Sequence, residues 1–175
     1  RLHASLDQHP PVAEGRECLA AARRRVILVT PYFVPPADIL RALCSAARRG
    51  VDVRLIVPQT NNHLYAGLAG QALYEDVMKA GVRVFERRAP FMHAKALIVD
   101  DTLAMVGSAN LDVRSLRLNY ESNVIVYDRA FIRDLAAMAL REQANSRPLN
   151  LADWQARPQS RRLLENFCHL LTPVL

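Results

Sequence analysis

Short apolar runs alternate with helically spaced apolar residues along most of this chain, and few folds accommodate that order. The stretch 12–24, VAEGRECLAAARR, has helical apolar spacing and leads into the strand-like run VILVT at 26–30. ADILRALCSAARR follows, with Ile39, Leu40, Leu43 and Ala47 on one helical face and Gly50 as a C-terminal stop. VDVRLIV then reads as a strand, LYAGLAGQALYEDVMKA as a helix ending at Gly81, and VRVFE as the next strand. Farther on come the alternating segment NYESNVIVY and the helical AFIRDLAAMALREQ. Strands joined by crossover helices imply an α/β layered domain. The 175 residues, 51% of them apolar, suit one such domain and supply an ample core.

Between these elements lies HAKALIVDDTLAMVGSAN, residues 93–110. ALIV and LAMV flank Asp100-Asp101 as two strands flank the tip of a tight hairpin, which adds an antiparallel pair to the sheet. A two-residue loop places Val99 opposite Thr102 and, counting outward, His93 opposite Ser108 to within one residue. The period of two puts His93 and Lys95 on one face. An imidazole can attack phosphorus and leave again, while a fixed cation holds phosphodiester oxygens whose charge grows in the transition state. Ser108 and Asn110 then flank the imidazole. Gly107 suits close backbone approach to a ligand, and the Asn110 amide can donate to a phosphoryl oxygen. Glu121 shares a face with Asn123 and Ile125, where a carboxylate can fix an imidazole tautomer.

These residues carry a resemblance. HxKxxxxD followed by GSxN resembles the signature of the phospholipase D superfamily, and His93, Lys95, Asp100, Gly107, Ser108 and Asn110 fill it. GSANLDVRSLRLNYE, TPYFVP, RGVDVRLIVP and the ending RRLLENFCHLLTPVL are similar, more narrowly, to the C-terminal catalytic half of bacterial cardiolipin synthases. The resemblance implies a layered α/β/α phospholipase D-like domain with a mixed sheet, spanning residues 12–175. Residues 1–11 read as a linker or the remnant of a preceding half, and a chain starting at Arg1 reads as a piece of something longer. The implied catalytic set is His93 as nucleophile with Lys95, Asp100 and Glu121, the last falling where the family keeps the acidic residue that orients the histidine. Lys95, Ser108 and Asn110 would bind phosphate, with no metal and no other cofactor. On the residues alone, Asp100 is equally a turn-former whose place is architectural.

The implied reaction is phosphatidyl transfer on a glycerophospholipid, phosphatidylglycerol being the expected substrate, at the cytoplasmic side of a bacterial inner membrane. The domain would sit there peripherally or as part of a membrane-anchored longer protein. A metal-independent phospholipase D or nuclease-type phosphodiesterase is the alternative. The net charge of +6 suits an anionic membrane surface and a nucleic-acid backbone alike; the narrower likeness disfavours nucleic acid. Resembling enzymes join two HxK motifs, and His3, His9, His63 and His169 are not followed two residues later by Lys. The second motif is therefore expected from a preceding half or from a homodimer.

The remaining features read more plainly. Cys18, Cys44 and Cys168 sit in apolar helical patterns as buried thiols. His63 reads as a loop-tip or helix-start residue that follows a strand's carboxyl end. PYFVPP either lines a pocket or packs on the hairpin. Arg114 and Arg117 are candidates for extended phosphate binding, whereas Arg48, Arg49, Arg87 and Arg88 read as solvated charge. In the C-terminal segment, Leu163, Leu164, Phe167, Leu170 and Leu171 form a helical stripe. It is expected to dock on its own domain, the alternative being an interfacial helix on anionic lipid.

Overall fold

The computed structural model describes residues 2–5, 10–112, 115–116 and 120–172. Its strands are β1 (Leu2–Ser5), β2 (Arg25–Val29), β3 (Phe33–Val34), β4 (Asp52–Pro58), β5 (Arg83–Arg87), β6 (Ala96–Val99), β7 (Leu103–Gly107), β8 (Leu111–Asp112), β9 (Asn123–Val126) and β10 (Ser146–Pro148). The helices are α1 (Pro10–Ala21), α2 (Ala37–Arg48), α3 (Leu64–Lys79), α4 (Arg129–Ala144), α5 (Leu151–Gln155) and α6 (Gln159–Leu170). Among the described residues the main sheet has eight strands in the order β1-β9-β7-β6-β2-β4-β5-β10. β2, β4 and β5 run parallel, and the other neighbours pair antiparallel, so the sheet is mixed. β3 and β8 form a separate parallel pair. Leu2–Ser5, inside the stretch read as a linker, is the edge strand β1, and α1 begins at Pro10 rather than Val12.

Both faces of the central strands are buried, as their uninterrupted apolar runs require. Val26 and Leu28 of β2, Val53, Leu55 and Val57 of β4, and Leu97 and Val99 of β6 enter one core with Leu43, Leu73 and Val77 of α2 and α3. The intervening Ile27, Val29, Ile56 and Ile98 enter a second core under Ile132, Ala136 and Ala139 of α4. The three layers are thus α, β and α. Gly50 and Gly81 end α2 and α3 with φ of +89° and +102°, the left-handed turn that a side chain resists.

The hairpin departs from the expected register by one residue. Val99 pairs with Leu103, not Thr102, and the loop takes the three residues 100–102. Asp100 is the cause. It adopts φ +52°, a conformation Asp tolerates better than most residues, and its carboxylate accepts from the backbone N–H groups of Arg23, Arg24 and Arg25 at 3.1, 2.8 and 2.8 Å. Its own N–H donates to the Arg25 carbonyl at 2.8 Å. Burial alone would raise the Asp100 pKa, but these three donors outweigh it and hold the carboxyl below its usual range. Asp100 therefore stitches the hairpin tip to the entry of β2, at the end of β6 away from His93.

α6 docks on α3 by the side opposite its apolar stripe. The buried Glu165 accepts two bonds from Arg157, at 2.6 and 2.9 Å, and one from Arg161 at 3.1 Å. The Arg157 guanidinium in turn stacks 3.3 Å over the Trp154 ring of α5. Arg161 donates to Gln71 and Arg162 to Glu75, both at 2.9 Å. Leu163, Leu164, Phe167, Leu170 and Leu171 all face outward, against the expectation that the stripe covers the domain. Of the arginines read as solvated charge, Arg49 is exposed yet donates to carbonyls of Leu19, Ala20 and Ala22 near the end of α1, and Arg87 is partly buried and pairs with Glu142.

Candidate active site

The chain ends that carry the motif meet at one edge of the sheet. β2 and β4 finish there, and β6 starts there because it runs antiparallel to β2, with Ala96 opposite Val29. β7 returns to the same edge at Gly107, opposite Asn123 at the start of β9. Loops after the carboxyl ends of parallel strands are the usual ligand position in α/β sheets. Here they add Tyr32 after β2 and Asn61 to His63 after β4. Asn61 holds this rim together by donating to the Pro31 carbonyl at 2.8 Å.

His93 and Lys95 lie just before β6, in extended but unpaired backbone, and share a face as the spacing requires. The Lys95 Nζ stands 3.0 Å from His93 Nδ1 and 3.3 Å from Nε2, and donates to the His93 carbonyl at 2.8 Å. The Tyr32 ring meets the imidazole edge-on at 6.2 Å, and the Phe91 ring lies 5.8 Å from it. Partial burial, then the Lys95 charge, then His63 push the His93 pKa below its ordinary value. These influences all disfavour a proton on the ring. Burial likewise lowers the Lys95 pKa, opposed by the carboxylates of Glu121 and Asp112.

Glu121 accepts the Ser108 hydroxyl, and Ser108 Oγ accepts from the Ser122 N–H at 3.0 Å. These bonds tie the loop after β7 to the start of β9. At Gly107 a Cβ would overlap Asn123 Oδ1 and the Ser122 carbonyl, and lie 2.7 Å from Asn123 Cα, so the close approach of the chain entering β9 requires glycine here. Asn110 donates to Ser115 Oγ at 3.2 Å, while its Oδ1 is buried without a partner among the described residues. With Lys95, Gly107 and Asn123 it lines a cavity of 70 Å³ behind the site.

Five of the six motif residues and Glu121 thus gather at one edge; Asp100 does not. A larger cavity of 520 Å³ opens beside the imidazole, lined by Tyr32, Asn62, His63, Tyr65, Asp112 and Thr172. Tyr32 donates to Asn62 Oδ1 at 2.7 Å, and its ring lies 5.6 Å from that of His63. His63 is indeed a helix-start residue, the N-cap of α3, and it faces this cavity as well. PYFVPP divides its roles: Phe33 packs in the core near Tyr74, whereas Tyr32 faces the site. Asn62 and Asp112 had no signal of their own in the sequence. Arg114 and Arg117 lie outside the described residues. Among the described residues no three His, Cys, Asp or Glu side chains converge as a metal-binding group.

An imidazole lone pair beside a fixed ammonium can perform covalent transfer at phosphorus. Comparison with known proteins places this arrangement in a family. The family model described as "Cardiolipin synthase, PLD-like domain" matches residues 16–141. Cardiolipin synthase A of Pectobacterium carotovorum is 41% identical over 155 residues, covering 89% of this chain and 32% of that protein, and the Proteus mirabilis protein of that name gives the same figures. The chain spans about a third of the length of these relatives. Among solved structures, the phospholipase D family member Nuc of Salmonella typhimurium superposes with a TM-score of 0.72 at 20% identity, covering 86% of this chain and 97% of that one. The phosphatidylserine synthase of Haemophilus influenzae gives a TM-score of 0.75 at 16% identity, covering 99% of this chain and 47% of that one. The two structures share the fold; the match over residues 16–141 shows that the chain belongs to the cardiolipin synthase family of phospholipase D-like domains.

Proposed function

We propose that this domain is a phosphatidyltransferase of cardiolipin-synthase type, acting on a glycerophospholipid such as phosphatidylglycerol at the cytoplasmic surface of a bacterial inner membrane. The Lys95 Nζ 3.0 Å from His93 Nδ1 carries this reading. A His93 ring nitrogen attacks phosphorus, and the phosphorus–oxygen bond to the headgroup alcohol breaks. Lys95, Ser108 and Asn110 receive the phosphoryl oxygens, and Glu121 orients the imidazole and balances the cation beside it. The leaving alcohol takes a proton, and a second lipid hydroxyl then loses one as it displaces the histidine. This proton traffic needs another acid–base group, supplied by a second motif in a preceding half or in another copy of the chain.

His93→Ala should abolish transfer with the fold unchanged by circular dichroism, and labelled phosphatidylglycerol should leave an acid-labile phosphohistidine on the wild type alone. Turnover by the Ala variant removes His93 from the role of nucleophile. Cleavage of DNA without action on phosphatidylglycerol vesicles replaces this reading with the nuclease.

A further inference from the structure

The helix α6 is mounted with its apolar face outward, and the mounting is rigid. Leu163, Phe167 and Leu170 are 69, 59 and 76% exposed, with Leu164 and Leu171 completing the stripe. Rotating it inward would break the Arg157–Glu165 pair and leave buried charge unpaired. Between Gln159 and Thr172 the acidic residue is Glu165, which is buried, so the outward face bears no negative charge. Arg161 and Arg162 stand at its margin, on a chain of net charge +6.

The stripe also leads to the site. α6 runs antiparallel along α3, with Arg162 beside Glu75 and Thr172 lining the cavity of His63 and Tyr32. At the mouth of that cavity Leu64 and Tyr65 are 65 and 61% exposed, which extends the apolar surface from the end of α6 to the rim of the site.

We infer that the outward stripe of α6, together with Leu64 and Tyr65, is a membrane-docking surface that seats in the interfacial layer of an anionic bilayer and holds the cavity of Tyr32 and His63, beside His93, against the lipid headgroups. The inference deepens the transferase reading and rests on it for the choice of occupant. Composition favours lipid over a protein partner. Protein interface anchors are enriched in Trp, Tyr and Arg and poor in Leu, whereas this helix offers three leucines and a phenylalanine, with Leu171 at its C-cap and arginines at the edge, the pattern of a helix lying in a membrane surface.

The test is flotation of the full 175-residue chain with vesicles of phosphatidylglycerol and phosphatidylethanolamine. The triple variant Leu163→Ser, Phe167→Ser, Leu170→Ser should keep its circular dichroism and Tm and lose at least about tenfold in vesicle partitioning. As an independent readout, Phe167→Trp should gain a blue-shifted emission on these vesicles that brominated lipid quenches. Unchanged partitioning by the triple variant, or an unquenched Trp, overturns the inference. So does loss of self-association, or of binding to a preceding half, with vesicle partitioning intact. Partitioning is read without turnover, so loss of the transferase assignment leaves the docking result standing, and the reverse holds too.

Discussion

The protonation of His93 is set by its neighbours. Desolvation and the Lys95 ammonium both disfavour a proton on the ring. Replacing Lys95 with Met removes the second of these causes, so the His93 pKa should rise toward its usual value near 6.5 while remaining below it. An NMR pH titration of the imidazole resonances measures this, and an unmoved or lowered midpoint contradicts the coupling. Transfer in the wild type should show an acid limb whose midpoint lies below the ordinary histidine value, because the nucleophile is lost only as the ring protonates. His93, Lys95, Ser108, Asn110 and Glu121 were legible as candidates in the sequence because they flank one hairpin and the strand beside it, just outside β6, β7 and β9. Asn62 and Asp112 were not, and the sequence left the roles of His63 and PYFVPP open. Tyr32 and His63 come near the imidazole from loops after β2 and β4, a proximity set by sheet order rather than by spacing.

At the scale of elements, α6 shows why a correct helical stripe did not predict a packing face. Amphipathicity locates an apolar side but not its partner, and here a bidentate arginine pair on a buried glutamate selects the opposite side. Glu165→Ala should therefore destabilise the domain by about 3 kcal/mol, lowering Tm by roughly 6–12 °C, since it leaves Arg157 and Arg161 without their shared acceptor. Thermal unfolding followed by circular dichroism decides this; a Tm within a degree of wild type shows that α6 is held by something else. The hairpin is a second case. Its two strands were plain from alternation, but the register depended on whether Asp100 served the loop or the site, and the backbone donors of Arg23, Arg24 and Arg25 that decide it lie more than seventy residues earlier in the chain.

For the whole molecule, one sheet edge collects a single motif, whereas the proposed transfer needs two acid–base histidines. Activity should accordingly rise more than linearly with protein concentration when the chain is assayed by itself, and adding His93→Ala chain to wild type should change the rate non-linearly. Assays paired with analytical ultracentrifugation test this. Full activity from a demonstrated monomer removes the shared site. Among the described residues no helix is long and apolar enough to cross a membrane.

The sequence by itself determined the α/β layering, the helix stops at Gly50 and Gly81, and the hairpin. These follow from local periodicity, and periodicity is written along the chain. Only the tertiary structure decided that Asp100 belongs to the architecture, that Gly107 makes room for Asn123, that His63 and Tyr32 share a cavity beside His93, and that α6 turns its leucines outward. Each of those depends on a partner distant in sequence, brought near by strand order and selected by hydrogen-bond and charge satisfaction in the interior.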